Sequence, residues 1–132
     1  DMAHAATKDP SARVREAAVR ALGWVKGERV IRPLIRATAD ESSAVRQAAA
    51  TELGRFDTQL SLDALTRLFH DENEDVRWSA VLAVGNLRKR EAAPALIEAM
   101  RDPSPMVSTA AERALQRMGI GEQRFGTRGE ME

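Results

Sequence analysis

From Asp9 to Gly23 the chain reads DPSARVREAAVRALG, and three later stretches echo it: DESSAVRQAAATELG from Asp40, DENEDVRWSAVLAVG from Asp71 and DPSPMVSTAAERALQ from Asp102. The four aspartates stand 31 residues apart. Five positions beyond each comes a valine, Val14, Val45, Val76 and Val107, followed by Arg15, Arg46 and Arg77, with Ser108 in the last copy. Ala18, Ala49, Ala80 and Ala111 recur next, then Leu22, Leu53, Val84 and Leu115, then Gly23, Gly54 and Gly85, with Gln116 in the fourth. Self-similarity at a fixed period marks an architecture of stacked units, none of which buries its apolar face alone. The four valines are therefore expected at equivalent buried points.

Each unit reads as two helices, A and B. In the first, Val14, Ala17, Ala18, Ala21, Leu22 and Val25 follow helical spacing, while Arg15, Glu16 and Arg20 fall off the stripe. Asp9-Pro10 and Asp102-Pro103 pair an N-cap acceptor with proline at the first helical position, and Gly27 is placed to end helix A in the left-handed conformation. Ile31, Leu34, Ile35 and Thr38 make helix B, and Leu62, Leu65, Leu68 and Phe69 repeat it. Gly23, Gly54 and Gly85 are read as points inside helix A where the next unit comes close. The small residue at Ala18 and its equivalents indicates close helix approach.

The chain has 132 residues, with twenty Lys and Arg against twenty Asp and Glu. That length is one domain, and zero net charge disfavours a nucleic-acid binder, whose affinity rests on surplus positive charge. The absence of cysteine removes disulfides and thiolate chemistry. Uncharged stretches fall short of the roughly 20 apolar residues of a membrane helix, and the first residues do not resemble a secretory signal. A soluble, cytoplasmic protein with no membrane partner is expected.

The pattern D-x-x-x-x-V-R-x-x-A-x-x-x-L-G, carried by Asp9 to Gly23, Asp40 to Gly54 and, with Val84 for Leu, Asp71 to Gly85, resembles HEAT-like repeats, and within them the short subclass named after phycobilisome lyases. The resemblance implies an all-α fold, an α-solenoid of two-helix repeats. Residues 1–118 form its single domain: a partial repeat over 1–8, repeats at 9–39, 40–70 and 71–101, and a capping helix at 102–118. Residues 119–132 form a tail, expected to be frayed. Starting in mid-repeat and without Met, the chain is expected to be cut from something longer. In such proteins the Asp and Arg tie neighbouring repeats through a hydrogen-bonded ladder, which implies that role for Asp40, Arg46, Asp71 and Arg77; Ser108 departs from it. Repeats of this kind serve scaffolds, bilin lyase subunits, a metal-dependent hydroxylase and DNA glycosylases. The hydroxylases carry repeated His-Glu pairs, whereas this chain has only His4 and His70, neither followed by Glu. No Ser-His-Asp set, phosphate loop or paired-carboxylate signature stands in its own context, so no catalytic or metal-binding residue is assigned. His70 reads as an imidazole at a helix C-terminus.

Two surfaces are candidates for binding. Residues off the B stripe are Arg29, Arg32 and Arg36 in the first unit, Leu60, Asp63, Arg67 and His70 in the second, and Glu91, Glu98 and Arg101 in the third. Guanidinium groups three and four apart share a helix face and suit carboxylates or phosphates bidentately. Their alternative is a solvated face paired internally, for example to Glu28. Trp78 and Leu82 replace polar residues of the other units and are expected to face solvent as an interface hot spot, whereas Trp24 is expected to pack in the core. Arg88, Lys89 and Arg90 read as a solvated turn. The functional expectation is a non-enzymatic scaffold or adaptor that takes an acidic protein segment in a concave groove through Arg29, Arg32, Arg36 and Arg67, with Trp78 and Leu82 as further contacts, and needs no cofactor. The alternatives are a bilin lyase subunit or phycobiliprotein chaperone, the one reading that involves a bilin, and, more weakly, a HEAT-like nucleic-acid-binding protein.

Overall fold

The structure is a computed structural model that describes residues 1–120. All its regular elements are helical: α1 (Met2–Lys8), α2 (Ala12–Leu22), α3 (Ile31–Ala37), α4 (Ser43–Leu53), α5 (Gln59–Arg67), α6 (Glu74–Leu87), α7 (Ala93–Ala99) and α8 (Pro105–Arg117). Short 3₁₀ turns adjoin α3, α5 and α7. The even-numbered helices are the A helices of successive units and the odd-numbered ones the B helices, with α1 the B helix ahead of the first full unit. The A helices stack in the order α2, α4, α6, α8, and α1, α3 and α5 form the parallel B layer against them. The fold is an all-α solenoid.

Its core repeats with the sequence. Leu34, Leu65 and Leu96 are completely buried, as are Ala49, Ala80 and Ala111. The valines split: Val45, Val76 and Val107 are at most 1% exposed, but Val14 is 43% exposed. The reason is positional. Among the described residues α4, α6 and α8 each follow another A helix in the stack, and α2 does not.

Close approach between units falls on the glycines. A Cβ at Gly54 would lie 2.8 Å from the Ala83 Cβ, one at Gly85 would lie 3.0 Å from that of Ala114, and one at Gly23 would collide with the buried Glu52 carboxylate. Gly23 and Gly54 lie just past the ends of α2 and α4, however, and only Gly85 is inside its helix. Gly27 does have a positive φ of 111°, but α2 ends at Leu22, so this glycine opens the turn into α3 instead.

The helix starts also differ from expectation. The N-caps are Ser11, Ser42, Asn73 and Ser104, two residues after each aspartate. Asp9, Asp40, Asp71 and Asp102 instead accept from the backbone N–H of those cap residues at 2.8–2.9 Å. It is Pro105, not Pro103, that occupies the first turn of α8. At the other end Gly119 takes φ 78°, and Ile120 donates its N–H to the Leu115 carbonyl at 3.0 Å, closing α8 with a glycine cap. Ile120 also packs partly on the core, so the chain is still folded at residues 119–120. The rest of the expected frayed tail, 121–132, lies outside the described residues.

Candidate binding surface

Arginines and aspartates join the units. Arg15 donates to both carboxylate oxygens of Asp40, from Nε at 2.8 Å and Nη2 at 3.1 Å, while its Nη1 reaches back to the Asp9 carbonyl at 2.7 Å. Arg46 does the same between Asp71 and the Asp40 carbonyl, and Arg77 between Asp102 and the Asp71 carbonyl. One side chain thus ties its own entry loop to the next, in three consecutive steps. Burial pushes the Asp40 carboxyl up, but the hydrogen bonds from Arg15 and the Ser42 N–H outweigh it and hold the group below the usual carboxylate range. The Arg15 guanidinium is in turn raised, chiefly by its bond to Asp40. Arg15 and Asp102 belong to this system as well as the four residues named from sequence. Aspartate 9 has no such arginine among the described residues.

The B-helix face carries the basic residues predicted to bind. Arg32, Arg36 and Arg67 converge on one groove between α3 and α5, whose floor is Ile35 and Leu60 and whose rim includes Asp63. Leu60 is 49% exposed. Among the described residues none of these arginines forms an ion pair. Arg29 is not in this lining; it sits in the 3₁₀ turn Glu28–Val30 ahead of α3. A second groove, between α5 and α7, is lined by Arg67, His70, Glu98 and Arg101, with His70 Nε2 3.9 Å from a Glu98 oxygen.

Trp78 and Leu82 lie elsewhere, so the six predicted contact residues do not form one site. Both are half-buried rather than solvent-facing, packed on the core and lining a cleft with Met106, Thr109, Arg113 and Arg117 of α8. The next A helix leans against positions that a single-helix pattern assigns to solvent. Trp24 reverses in the opposite sense: it is 71% exposed, not in the core. Its helix has ended before it, and the Arg55 guanidinium stacks 3.7 Å from the ring centroid while donating to buried Glu52 at 2.7 Å. Nothing in the spacing of the sequence marks that Trp24–Arg55–Glu52 chain, because its members belong to two units. In the turn of the third unit Lys89 is not free: it meets Asp57 at 2.8 Å, and that hydrogen bond raises its pKa.

Among the described residues there is no cluster of three or more His, Cys, Asp or Glu arranged to hold a metal ion, and no helix long and apolar enough to cross a membrane. The sequence profile of HEAT repeats matches residues 1–81 and again 66–124. No curated protein sequence matches the chain. Among solved structures, that of human deoxyhypusine hydroxylase in complex with glycerol is similar, with a TM-score of 0.80 and 21% identity over 95% of this chain and 44% of that one. The chain therefore spans less than half of that enzyme, and at such identity the likeness is one of fold. With the profile covering nearly its whole length and the paired helices stacking unit on unit, this chain belongs to the family of HEAT repeats.

Proposed function

We propose that the chain is a binding module, with no reactive centre of its own, that holds an acidic segment of another protein on its B-helix face. The observation that supports the reading is the groove of Arg32, Arg36 and Arg67 around Ile35 and Leu60, three guanidinium groups that share it with the single acid Asp63 and form no ion pair among the described residues. In a chain of zero net charge, basic side chains left unpaired on one face favour a ligand that supplies carboxylates in bidentate geometry. Arg29, one turn outside the groove, adds to the local field, and the Trp78–Leu82 cleft is a separate, apolar contact. A bilin fits the groove poorly. A tetrapyrrole needs broad apolar cover, and the floor consists of two aliphatic side chains with no aromatic ring.

The test is affinity capture by the intact protein and by an Arg32→Glu/Arg36→Glu variant, with thermal melts of both. Both residues are exposed, so the melts should coincide within about 0.5 kcal/mol, while capture of acidic partners is lost. Equal capture by both proteins would remove the groove from the function.

A further inference from the structure

Every internal joint between A helices is made of the same parts. Gly54 of α4 meets Ala83 of α6, and Gly85 of α6 meets Ala114 of α8. The Gln47 amide of α4 donates to the Ser79 hydroxyl of α6 at 3.0 Å. An arginine of the earlier unit grips the aspartate 25 residues on. The later helix of a joint therefore offers one recurrent surface, Val76, Ser79 and Ala83 on α6 and Val107, Ala110 and Ala114 on α8, and all six residues are buried.

The first A helix carries that surface uncovered. On α2 the same positions are held by Val14, Ala17 and Ala21, and all three are exposed. Val25, which matches the half-buried Phe56, Leu87 and Met118, is exposed too. Asp9 stands where Asp40, Asp71 and Asp102 each accept two hydrogen bonds from an arginine, yet among the described residues its carboxylate accepts only the Ser11 N–H, at 2.9 Å. An apolar column and an acid thus lack the same neighbour.

The far end of a second copy does not match it. On α8 Ser108 replaces the arginine and Gln116 the glycine, and midway between them, on the same helix face, exposed Glu112 replaces the fully buried Val19, Ala50 and Val81. Head-to-tail docking of identical chains would bring Glu112 to the apolar column, at the cost of desolvating a charge, and no cation to Asp9.

We infer that the open face of α2 docks the A helix of a further HEAT-like unit, one with arginine and, eight residues later, glycine, as in Arg46 and Gly54. The arginine forks onto the Asp9 carboxylate, and the glycine admits Ala21 to close contact. This face shares no residue with the groove of Arg32, Arg36 and Arg67.

The test is the full chain with a second copy of residues 40–62 placed directly ahead of Asp1. The copied arginine then stands 25 residues before Asp9, as Arg46 does before Asp71, and the copied glycine is spaced from Ala21 as Gly54 is from Ala83. Hydrogen exchange of the α2 amides should slow at least about tenfold, and the urea midpoint should rise. In the extended chain Asp9→Asn and Val14→Glu should each remove most of that gain. In the parent neither should move the midpoint, since Val14 is already exposed and asparagine still accepts from the Ser11 N–H. An extension carrying Arg46→Ser and Gly54→Gln within its copy, the residues of the fourth unit, should protect α2 far less. No protection from the first extension, equal protection from the altered one, or a gain that survives either Asp9→Asn or Val14→Glu would each overturn the inference. Sedimentation of the parent should show one species at all concentrations; self-association abolished by Val14→Glu would assign the face to a second copy instead.

Discussion

Gly54 shows how much a single Cβ decides in this stack. Its backbone is ordinary right-handed helical, φ −65° and ψ −8°, so alanine would meet no torsional objection. The objection is spatial: the added carbon would sit 2.8 Å from the Ala83 Cβ and 3.2 Å from the Ala83 Cα, which is backbone and cannot swing away. Gly54→Ala should therefore destabilise the protein by about 1–3 kcal/mol in urea unfolding, as overpacking does. The compensating change Ala83→Gly in the same chain should recover part of that loss, giving a clear non-additive cycle. The recurrence of Gly23, Gly54 and Gly85 marked these contact points in advance. That Glu52 takes the facing place at Gly23, where Ala83 and Ala114 face the other two, was not legible, because a buried carboxylate bonded to Arg55 looks like surface charge in a linear string.

The four A helices start alike but are capped unequally. The Asn73 side chain accepts from the N–H groups of both Asp75 and Val76, at 2.8 and 3.2 Å, whereas Ser42 and Ser104 make no side-chain cap bond. Asn73→Ala should cost about 1 kcal/mol, within the usual range for a lost cap, and Ser42→Ala should cost much less; paired urea midpoints measure the contrast. The Ser104 hydroxyl is engaged differently, donating to Glu74 across the interface at 2.7 Å. Aspartate followed by proline is an ordinary sign of a helix start, and by itself it points two residues too early here. The displacement is local: all four aspartates, Asp9 included although no arginine reaches its carboxylate among the described residues, accept from the N–H of the residue two positions on, and that residue is the N-cap.

Across the whole molecule Arg15, Arg46 and Arg77 link each unit to the next in three consecutive steps, and they make stability depend on acid. The folded Asp40 carboxyl lies below its ordinary value, so its contribution is fully present above the unfolded pKa and disappears as pH falls through the folded one. Asp40→Asn should be less stable than the parent at neutral pH, and the gap should narrow between about pH 5 and pH 2, in thermal melts taken across that window. A gap that stayed constant would mean that Asp40 acts through packing and not through charge. The period of 31, the pairing of A with B helices, the buried leucine and alanine columns and the aspartate–arginine recurrence were all readable from the string, because each rests on local helical spacing copied from unit to unit. Which faces stay open was decided by the stacking alone. Val14 and Trp24 came out to solvent, and Trp78 and Leu82 were half covered by α8. Each of these outcomes depends on how one helix is rotated and shifted against the next, and the periodicity of a single helix carries no record of that.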